Sequence, residues 1–304
     1  MYAFSRVCVN SKPENYYGSS EKIRYFALFF FFIFHFSLLI FNFLCMSTLL
    51  FDKIVYGPVN SRRLGVSLGV NLSPADGKRC TFDCIYCECG LNAHRRTQTS
   101  APSREEVKKA LSEKLVQMKA EGVSPDVITF SGNGEPTMHP DFAGIIDDTL
   151  DTRDRLCPSA KVAVLSNSTM LHKEEVVMAL CKVDDNLMKF DAASNELIEL
   201  IDQPAIRDFT AEKLIEQLCR FNGKLTIQSI FLEGEHNGVR FDNSRNEDVD
   251  LWIEALRKIR PENVMIYTIS RETPVKTLQK TPMKTLEKIA QKVRNAGFHV
   301  TVSG

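Results

Sequence analysis

Beyond residue 64 the sequence alternates between short apolar runs and longer segments in which apolar residues recur every three or four positions. The short runs predict buried β-strands, and the periodic segments predict helices with one apolar face. Six or seven such units follow one another without a linker-like break, which predicts a largely parallel α/β sheet. A doubly wound sheet and a barrel both fit this pattern. The predicted strands are 66–72, 127–130, 162–165, 187–190, 225–232, 264–269 and 300–302, and the predicted helices lie within 103–122, 173–181, 211–221, 249–259 and 283–296.

Two of the predicted helices carry separate end signals. Ser103 and Glu106 have the spacing of a capping box, in which each side chain bonds the backbone of the other residue. Gly122 and Gly297 close the first and the last of these helices, as glycine commonly does. The ends therefore support the helix assignments independently of the apolar pattern.

Residues 1–45 differ in composition from the rest of the chain. They contain half of the 20 phenylalanines, and residues 25–45 include no charged side chain. A segment of that length can span a bilayer, and Lys22 and Arg24 before it would set a positive-inside orientation. The segment would then be an inner-membrane anchor. A signal peptide is a second interpretation, although no small-residue cleavage site follows. We favour a third, in which Met46 is the native start and residues 1–45 are a spurious Phe-rich extension.

The charge balance limits the classes of partner. The chain has 38 basic and 38 acidic side chains, and residues 46–304 alone have 34 and 36. A nucleic-acid-binding domain usually shows a clear basic excess or a basic stripe, and neither is present. Nucleic acid is therefore a possible partner through a local patch, but not the favoured one.

Three cysteines stand close together in the polar stretch 80–87, at Cys80, Cys84 and Cys87. Three thiolates on one loop can bind three irons of a cubane cluster and leave the fourth iron open to a small molecule. Disulfides are not expected, because the spacings are short and a chain of this size does not need them. Zinc is an alternative, with Cys89 or His94 as its fourth ligand.

The cysteine spacing, with an aromatic residue directly before the third ligand at Tyr86, resembles the signature of the radical S-adenosylmethionine (radical SAM) enzymes. Residues 56–65, which read Tyr-Gly-Pro-Val-Asn-Ser-Arg-Arg-Leu-Gly, resemble the opening of a microbial group usually called Fe–S oxidoreductases. The resemblance implies a partial (β/α)6 barrel as a single domain over residues 46–304. It also implies two cofactors, a [4Fe–4S] cluster on the three cysteines and SAM on the open iron.

A glycine-rich segment follows the second predicted strand and resembles the Gly-Gly-Glu motif, which binds the amino group of SAM in this family. Gly132, Gly134 and Glu135 match the motif, whereas Asn133 interrupts the glycine pair. Glycines at a strand end let the backbone approach a ligand closely. A plain glycine-rich turn is the alternative interpretation.

Further SAM contacts are implied at Tyr86, beside the third cysteine, and at the ends or within the later strands. Ser166 and Asn167 end the third predicted strand, and Gln228 lies inside the fifth. A helix N-cap would explain the Ser-Asn pair equally well. Gln228 could also be a core amide whose hydrogen bonds are satisfied by the protein.

Substrate contacts are predicted at three arginines. Arg62 and Arg63 precede the first strand of the barrel, and Arg271 follows the sixth. A guanidinium binds a carboxylate or phosphate in a bidentate manner, although Arg271 could instead form a surface ion pair with Glu272. The polar segment 234–246 is predicted to be a lid over the site or an idle surface loop.

The resemblance implies an enzyme that cleaves SAM reductively to a 5′-deoxyadenosyl radical, which abstracts hydrogen from an unidentified substrate. It implies a one-electron donor such as flavodoxin or ferredoxin, and a cytoplasmic location, where a cluster can be loaded and kept reduced. No catalytic acid or base can be named from the sequence. Two alternatives stay open: a tRNA-modifying enzyme, by distant similarity to those of wyosine-type maturation, and an iron–sulfur electron-transfer protein that does not cleave SAM.

Overall fold

Eight strands form one sheet at the centre of the computed structural model, which describes residues 49–61, 65–94 and 97–304. Neighbouring strands are parallel, except for the first two, which pair antiparallel. Three further strands form a small antiparallel sheet. The strands are β1 (Val55–Ser61), β2 (Gly65–Val70), β3 (Val127–Phe130), β4 (Lys161–Ser166), β5 (Asp185–Lys189), β6 (Thr226–Ile230), β7 (Leu232–His236), β8 (Val239–Asp242), β9 (Asn263–Tyr267), β10 (Gln279–Lys280) and β11 (Val300–Ser303).

The order of strands in the large sheet decides between the two predicted topologies. It runs β1-β2-β3-β4-β5-β6-β9-β11, so the sheet follows the chain and never turns back. A doubly wound sheet reverses its order at a switch point, whereas a barrel does not. The sheet is open rather than closed, and the predicted partial barrel is confirmed.

Helices follow most of the parallel strands. They are α1 (Arg104–Ala120), α2 (Phe142–Leu156), α3 (Glu174–Leu180), α4 (Asn195–Ile201), α5 (Ala211–Cys219), α6 (Asn246–Ile259) and α7 (Met283–Asn295). The capping box is present at α1, where Glu106 N donates to Ser103 Oγ and Ser103 N donates to the Glu106 carboxylate at 2.7 Å. The apolar residues that predicted α6 are buried: Val249, Trp252, Leu256 and Ile259.

The two faces of the sheet pack differently. Val127, Ala163 and Leu187 form a small apolar cluster on the inner face, together with the partly buried Leu165 and Met265. A much larger cluster lies on the other face and includes the buried residues of α1, α6 and α7. Because side chains alternate along a strand, every second residue of each strand lies on the inner face. The candidate site residues lie on this face, near the ends of the strands.

The segment predicted as one strand, 225–232, is two strands with different partners. β6 belongs to the large sheet, whereas β7 pairs with β8 and β10. The polar segment 234–246 was therefore wrongly predicted as a loop, because β7 and β8 form a β-hairpin within it. A Cβ on Gly234 would lie 2.9 Å from Thr277 O, so the close packing of this small sheet requires glycine there.

The sequence pattern did not predict α2, because several of its inward positions are polar. Asp148, Thr149 and Thr152 are all buried in this helix. Asp148 accepts from Arg104 Nε at 2.7 Å and from Lys108 Nζ at 3.0 Å, which ties α2 to α1. Threonine and paired aspartate thus replace the apolar residues on which the pattern depends.

The segment that precedes β1 belongs to the packed core unit. Phe51 exchanges hydrogen bonds with the buried Asn133: its N–H donates to Asn133 Oδ1 and its carbonyl accepts from Asn133 Nδ2, both at 2.8 Å. Its ring stacks on Tyr56 with centroids 3.7 Å apart. Residues 1–45, with the predicted membrane segment, lie outside the described residues. Within the described part of the chain, no helix is long and apolar enough to cross a membrane.

These contacts predict where the chain can be shortened. A variant starting at Met46 should unfold cooperatively at the same temperature as the full chain, whereas one starting at Lys53 should lose stability. Without Phe51 the buried Asn133 amide loses two partners, and each orphaned buried polar group costs about 1–3 kcal/mol. Thermal unfolding of the two variants checks this. Aggregation of the variant starting at Met46 would contradict it.

Candidate functional site

Cys80, Cys84 and Cys87 lie on the loop that leaves β2, and all three residues are partly buried. The backbone between them is tightly held: Cys87 N donates to Cys84 O at 3.0 Å. Ile85 and Phe82 are buried beneath the loop, and Ile85 N donates to Ile201 O at the end of α4 at 3.0 Å. The apolar residues of this stretch therefore anchor the loop and leave its cysteines at the surface of the barrel mouth.

The donor set fits a cubane cluster. Three thiols on one anchored loop can each take one iron, and the ligands of such a cluster need not meet at one point. Among the described residues, no three His, Cys, Asp or Glu side chains are gathered to hold a single metal ion. Cys89, the suggested fourth zinc ligand, is buried, and its Sγ donates to Gly132 O at 3.2 Å.

Local charges and hydrogen bonds give the thiols different pKa values. Burial, followed by the Glu135 carboxylate, raises the pKa of Cys80 to about 12. The neighbouring Cys89 thiol, together with the nearby charge of Lys78, lowers the pKa of Cys87 to about 6 against the effect of burial. Cys87 is therefore the thiol that most readily becomes a thiolate, which is the form that binds metal.

Lys78 lies beneath the loop that carries these thiols. Its side chain is 1% exposed, and Nζ donates to Gly90 O at 2.9 Å and to Asp83 Oδ1 at 3.1 Å. Burial lowers its pKa, but electrostatic interactions with Cys87, Cys80 and Cys84 and with the Asp83 carboxylate outweigh this and hold the pKa of Lys78 well above its usual range. The sequence analysis did not single out this lysine.

Gly132 and Gly134 lie where the end of β3 crosses the cysteine loop. A Cβ on Gly134 would lie 1.8 Å from Arg79 O, and one on Gly132 would lie 2.5 Å from Asn71 Oδ1. Arg79 N donates to Asn133 O at 2.9 Å, and Glu135 N donates to Arg79 O at 3.0 Å. The glycines thus allow the backbone of this strand end to pair with the residue just before Cys80.

Asn133 interrupts the glycine pair of the Gly-Gly-Glu-like segment, and its side chain connects three parts of the chain. Its side chain is fully buried and donates to Phe51 O and to Pro74 O at 2.9 Å, while its N–H donates to Asn71 Oδ1 at 3.0 Å. The asparagine therefore fastens the N-terminal segment, the start of the cysteine loop and β3 to one another.

Glu135 is buried and joins the ends of β3 and β4. Its Oε1 accepts from Ser166 Oγ at 2.9 Å and from the N–H and hydroxyl of Thr137, at 3.1 and 2.5 Å. Its Oε2 accepts from Asn167 N at 2.6 Å. Burial raises the pKa of Glu135, and these hydrogen bonds oppose that rise. Oε2 accepts fewer bonds than Oε1, so it keeps acceptor capacity for a ligand.

The side chains of Ser166 and Asn167 are engaged within the protein. Ser166 Oγ donates to Glu135, and Asn167 Nδ2 donates to Thr81 Oγ1 at 2.8 Å and reaches Cys80 Sγ at 3.5 Å. The end of β4 is therefore fastened to the cysteine loop on one side and to Glu135 on the other.

Ser168 follows the two residues predicted to contact SAM at this strand end, and the sequence analysis did not single it out. Its φ of 67° lies in the left-handed region, which non-glycine residues rarely adopt. The residue is 2% exposed, and its Oγ has no hydrogen-bond partner within the described chain. Such strain often marks a binding site. A Ser-Asn-Ser-Thr sequence gives no sign of which residue will carry it.

Tyr86 belongs to a buried ionic network at the end of β5. Its hydroxyl donates to Asp191 Oδ2, and Lys189 Nζ contacts both groups and lies 4.5 Å from the centroid of the Tyr86 ring. Nζ also lies 2.8 Å from Asp202 Oδ1, as an ion pair without hydrogen-bond alignment. Burial and Asp191 raise the pKa of Asp202 to about 7, although Lys189 opposes this. The network fixes the residue that precedes the third cysteine.

Gln228 lies beside Lys189 on the inner face of the sheet. The two residues are register partners in β5 and β6, and Leu187, two positions before Lys189, packs inside the barrel. Gln228 is 9% exposed, and its amide makes no hydrogen bond to the described residues. The amide is therefore placed to meet a ligand in the mouth of the barrel.

The arginines predicted to contact substrate fare differently. Arg271 forms an ion pair with Glu88 at 2.5 Å rather than with Glu272, and both partners are largely exposed. Glu272 pairs with Lys276 at 3.1 Å. The Arg271–Glu88 pair connects the loop after β9 to the residue that follows Cys87. Arg62 and Arg63 lie outside the described residues, and so do Arg95 and Arg96 beyond the cysteine loop.

Comparison with known proteins gives one family match. The model of the Radical SAM superfamily matches residues 76–236, which include the cysteine loop, the glycine-rich segment and the Lys189 network. The "GTPase Obg" protein of Brachyspira hyodysenteriae is 30% identical over 226 residues, which cover 73% of this chain and 30% of that protein. A "UPF0026 protein" of Helicobacter pylori is 30% identical over 229 residues, covering 73% of this chain and 68% of that protein.

Among solved structures, TYW1 with a lysine-pyruvate adduct bound has a TM-score of 0.54 at 14% identity. The match covers 75% of this chain and 73% of that one, and at this identity it shows a shared fold. The chain spans less than a third of the Brachyspira protein, so the properties of that whole protein are its own.

Proposed function

The chain belongs to the radical SAM superfamily, and from that premise we propose that it cleaves S-adenosylmethionine reductively and abstracts hydrogen from a substrate at the mouth of the partial barrel. The observation that carries the proposal is the meeting of the three-cysteine loop with the glycine-rich strand end, through the backbone pairing of Arg79 with residues 133 and 135. Cys80, Cys84 and Cys87 would hold the [4Fe–4S] cluster. When bound and reduced, that cluster supplies the electron that splits SAM into methionine and a 5′-deoxyadenosyl radical.

The methionyl end of SAM is assigned to the groups beside Cys80. Glu135 Oε2 and the backbone carbonyl of Gly132 can accept from the ammonium group, since neither has all its acceptor positions filled. The free hydroxyl of Ser168 can donate to the carboxylate. Ser166 and Asn167 act by positioning, because their side chains already bond Glu135 and Thr81.

The other half of the mouth is assigned to SAM's nucleoside end and the substrate. Tyr86 offers an aromatic ring, and Gln228 offers an amide that makes no hydrogen bond to the described residues. Lys189 fixes both the ring and the neighbouring carboxylates. Burial of these groups excludes water from a reactive intermediate. The substrate and the one-electron donor, such as flavodoxin or ferredoxin, are still to be identified.

The proposal predicts a reaction that needs no substrate. Anaerobic protein with cluster, given dithionite and SAM, should slowly release 5′-deoxyadenosine and methionine in equal amounts, measured by chromatography. The matched control is Cys84→Ala, which should release neither. If reduced, cluster-loaded wild type releases no 5′-deoxyadenosine, the protein is better described as an electron carrier.

The same assay can then identify the substrate. Cells are grown in deuterated medium, their extract is added to the assay, and the transfer of deuterium into 5′-deoxyadenosine is measured. Fractions that transfer deuterium contain the molecule from which hydrogen is abstracted. RNA-containing and RNA-depleted fractions test the tRNA alternative directly.

A further inference from the structure

An ion pair with a buried lysine lies within the cysteine loop. It joins Lys78, two residues before Cys80, to Asp83, which stands between Cys80 and Cys84. The lysine side chain is 1% exposed and the aspartate side chain 23% exposed. Lys78 Nζ also donates to Gly90 O, so the ammonium spans the loop from its start to its end.

The ammonium has one N–H left after these two bonds, because a lysine carries three donors. Lys78 Nζ is held at Asp83, between the first two cysteines, and at Gly90, three residues beyond the third, and all three cysteines interact electrostatically with it. A cluster bound by these cysteines would therefore face a buried positive charge and an N–H donor on its protein side.

A buried charge acts on its neighbours with little screening by salt or water. The reduction potential of an iron–sulfur cluster depends on nearby charge, hydrogen bonds to its sulfurs and solvent exposure. We propose that Lys78 raises the reduction potential of the cluster, and so eases its one-electron reduction, while Asp83 partly offsets this effect. The inference rests on the proposed cluster site, and Lys78 is in this sense a positioning and tuning residue.

A purely structural ion pair would give a different result. In that case removal of either partner would loosen the loop, and both changes would alter the cluster in the same direction. Tuning by charge predicts opposite signs, because loss of a positive charge disfavours the added electron and loss of a negative charge favours it. The two explanations can therefore be separated by the direction of a measured shift.

The experiment is a redox titration of the loaded protein, followed by the electron paramagnetic resonance signal of the reduced cluster. Lys78→Gln is expected to lower the ratio of reduced to oxidised cluster about tenfold at a given potential, a shift of about 59 mV for one electron. Asp83→Asn keeps the oxygen that accepts from Asn92 N and should shift the potential in the opposite direction. Lys78→Arg keeps the charge and should restore most of the wild-type value.

Arg79→Gln is the matched control. Arg79 is next to Cys80 in sequence, but its side chain is exposed, so solvent screens its charge. The reduction potential of Arg79→Gln should therefore differ from that of wild type by only a small fraction of the Lys78→Gln shift. Iron and sulfide content must equal that of wild type in every variant. Shifts of the same sign in Lys78→Gln and Asp83→Asn, or no shift in either, would overturn the inference. Wild type without any cluster would instead overturn the proposed function.

Discussion

Replacing Cys80, Cys84 or Cys87 with alanine is expected to reduce the iron and sulfide content of anaerobically reconstituted protein to background. In the proposed site each thiol would be the sole protein ligand of one iron, so a loop with two cysteines could not complete it. The loop itself should persist in each variant, because the buried side chains of Ile85 and Phe82 and the bond from Ile85 N to Ile201 O anchor it. Colorimetric iron and sulfide assays measure the loss, and circular dichroism checks the fold.

Cys89→Ala is the control for this series. Cys89 lies next to Cys87 in the folded chain, but its Sγ donates to Gly132 O and the residue is buried. The substitution removes one weak hydrogen bond, worth about 1 kcal/mol, and the thiol that lowers the pKa of Cys87, but no ligand of the proposed cluster, so the cluster content should stay nearly unchanged. Equal loss in Cys89→Ala would mean a four-thiolate site without an open iron, and binding of SAM to the cluster would be excluded.

The fold could be predicted well where burial alone decides structure. Most residues of β2, β3 and β6 are buried, and their apolar residues are frequent enough to predict strands. The pattern did not predict the β7–β8 hairpin, since Leu232–His236 continues the run of β6 without a turn signal. It did not predict α2 either, because Asp148 gains its place in the core from Arg104 and Lys108, which lie forty residues away.

The site was predicted in part for a similar reason. The three cysteines lie close together in sequence, and so do the residues of the glycine-rich segment. Each motif can therefore be recognised from its spacing. Lys78, Ser168 and the Lys189 network depend on contacts between distant segments. Lys78 is recognisable only once Gly90 is known to lie above it, and the role of Lys189 depends on Tyr86, which is 103 residues away. One sequence does not contain that information.

The glycine-rich segment shows how a motif can have two purposes. The sequence predicts that Glu135 contacts the ammonium group of SAM, and its four hydrogen bonds also make it a clamp between the ends of β3 and β4. Glu135→Ala would remove the clamp along with the charge and would strand the Asn167 N–H and the Thr137 hydroxyl. A change that keeps the shape of the side chain is therefore needed to test the contact itself.

Glu135→Gln is expected to weaken SAM binding by about ten to one hundredfold while the cluster content stays the same. A hydrogen bond to a charged group contributes about 1.5–3 kcal/mol, and every 1.4 kcal/mol is a factor of ten in the dissociation constant. Glutamine retains one oxygen, which can still accept from Ser166 and Thr137. Its NH2 group would occupy the place of Oε2 and could accept neither from the SAM ammonium nor from Asn167 N, so the substitution also removes one clamp bond. Equilibrium dialysis with labelled SAM measures the effect.

Thr137→Val is the matched variant that separates contact from clamp. Thr137 is 1% exposed and donates its hydroxyl to Glu135 Oε1, so valine removes one clamp bond and keeps both the carboxylate charge and the side-chain shape. It should lower the free energy of unfolding by about 1.5–3 kcal/mol and change SAM affinity by less than about threefold. Equal weakening of SAM binding in Thr137→Val and Glu135→Gln would show that Glu135 acts only by holding the strand ends together. The ammonium group would then be bound by backbone carbonyls such as that of Gly132.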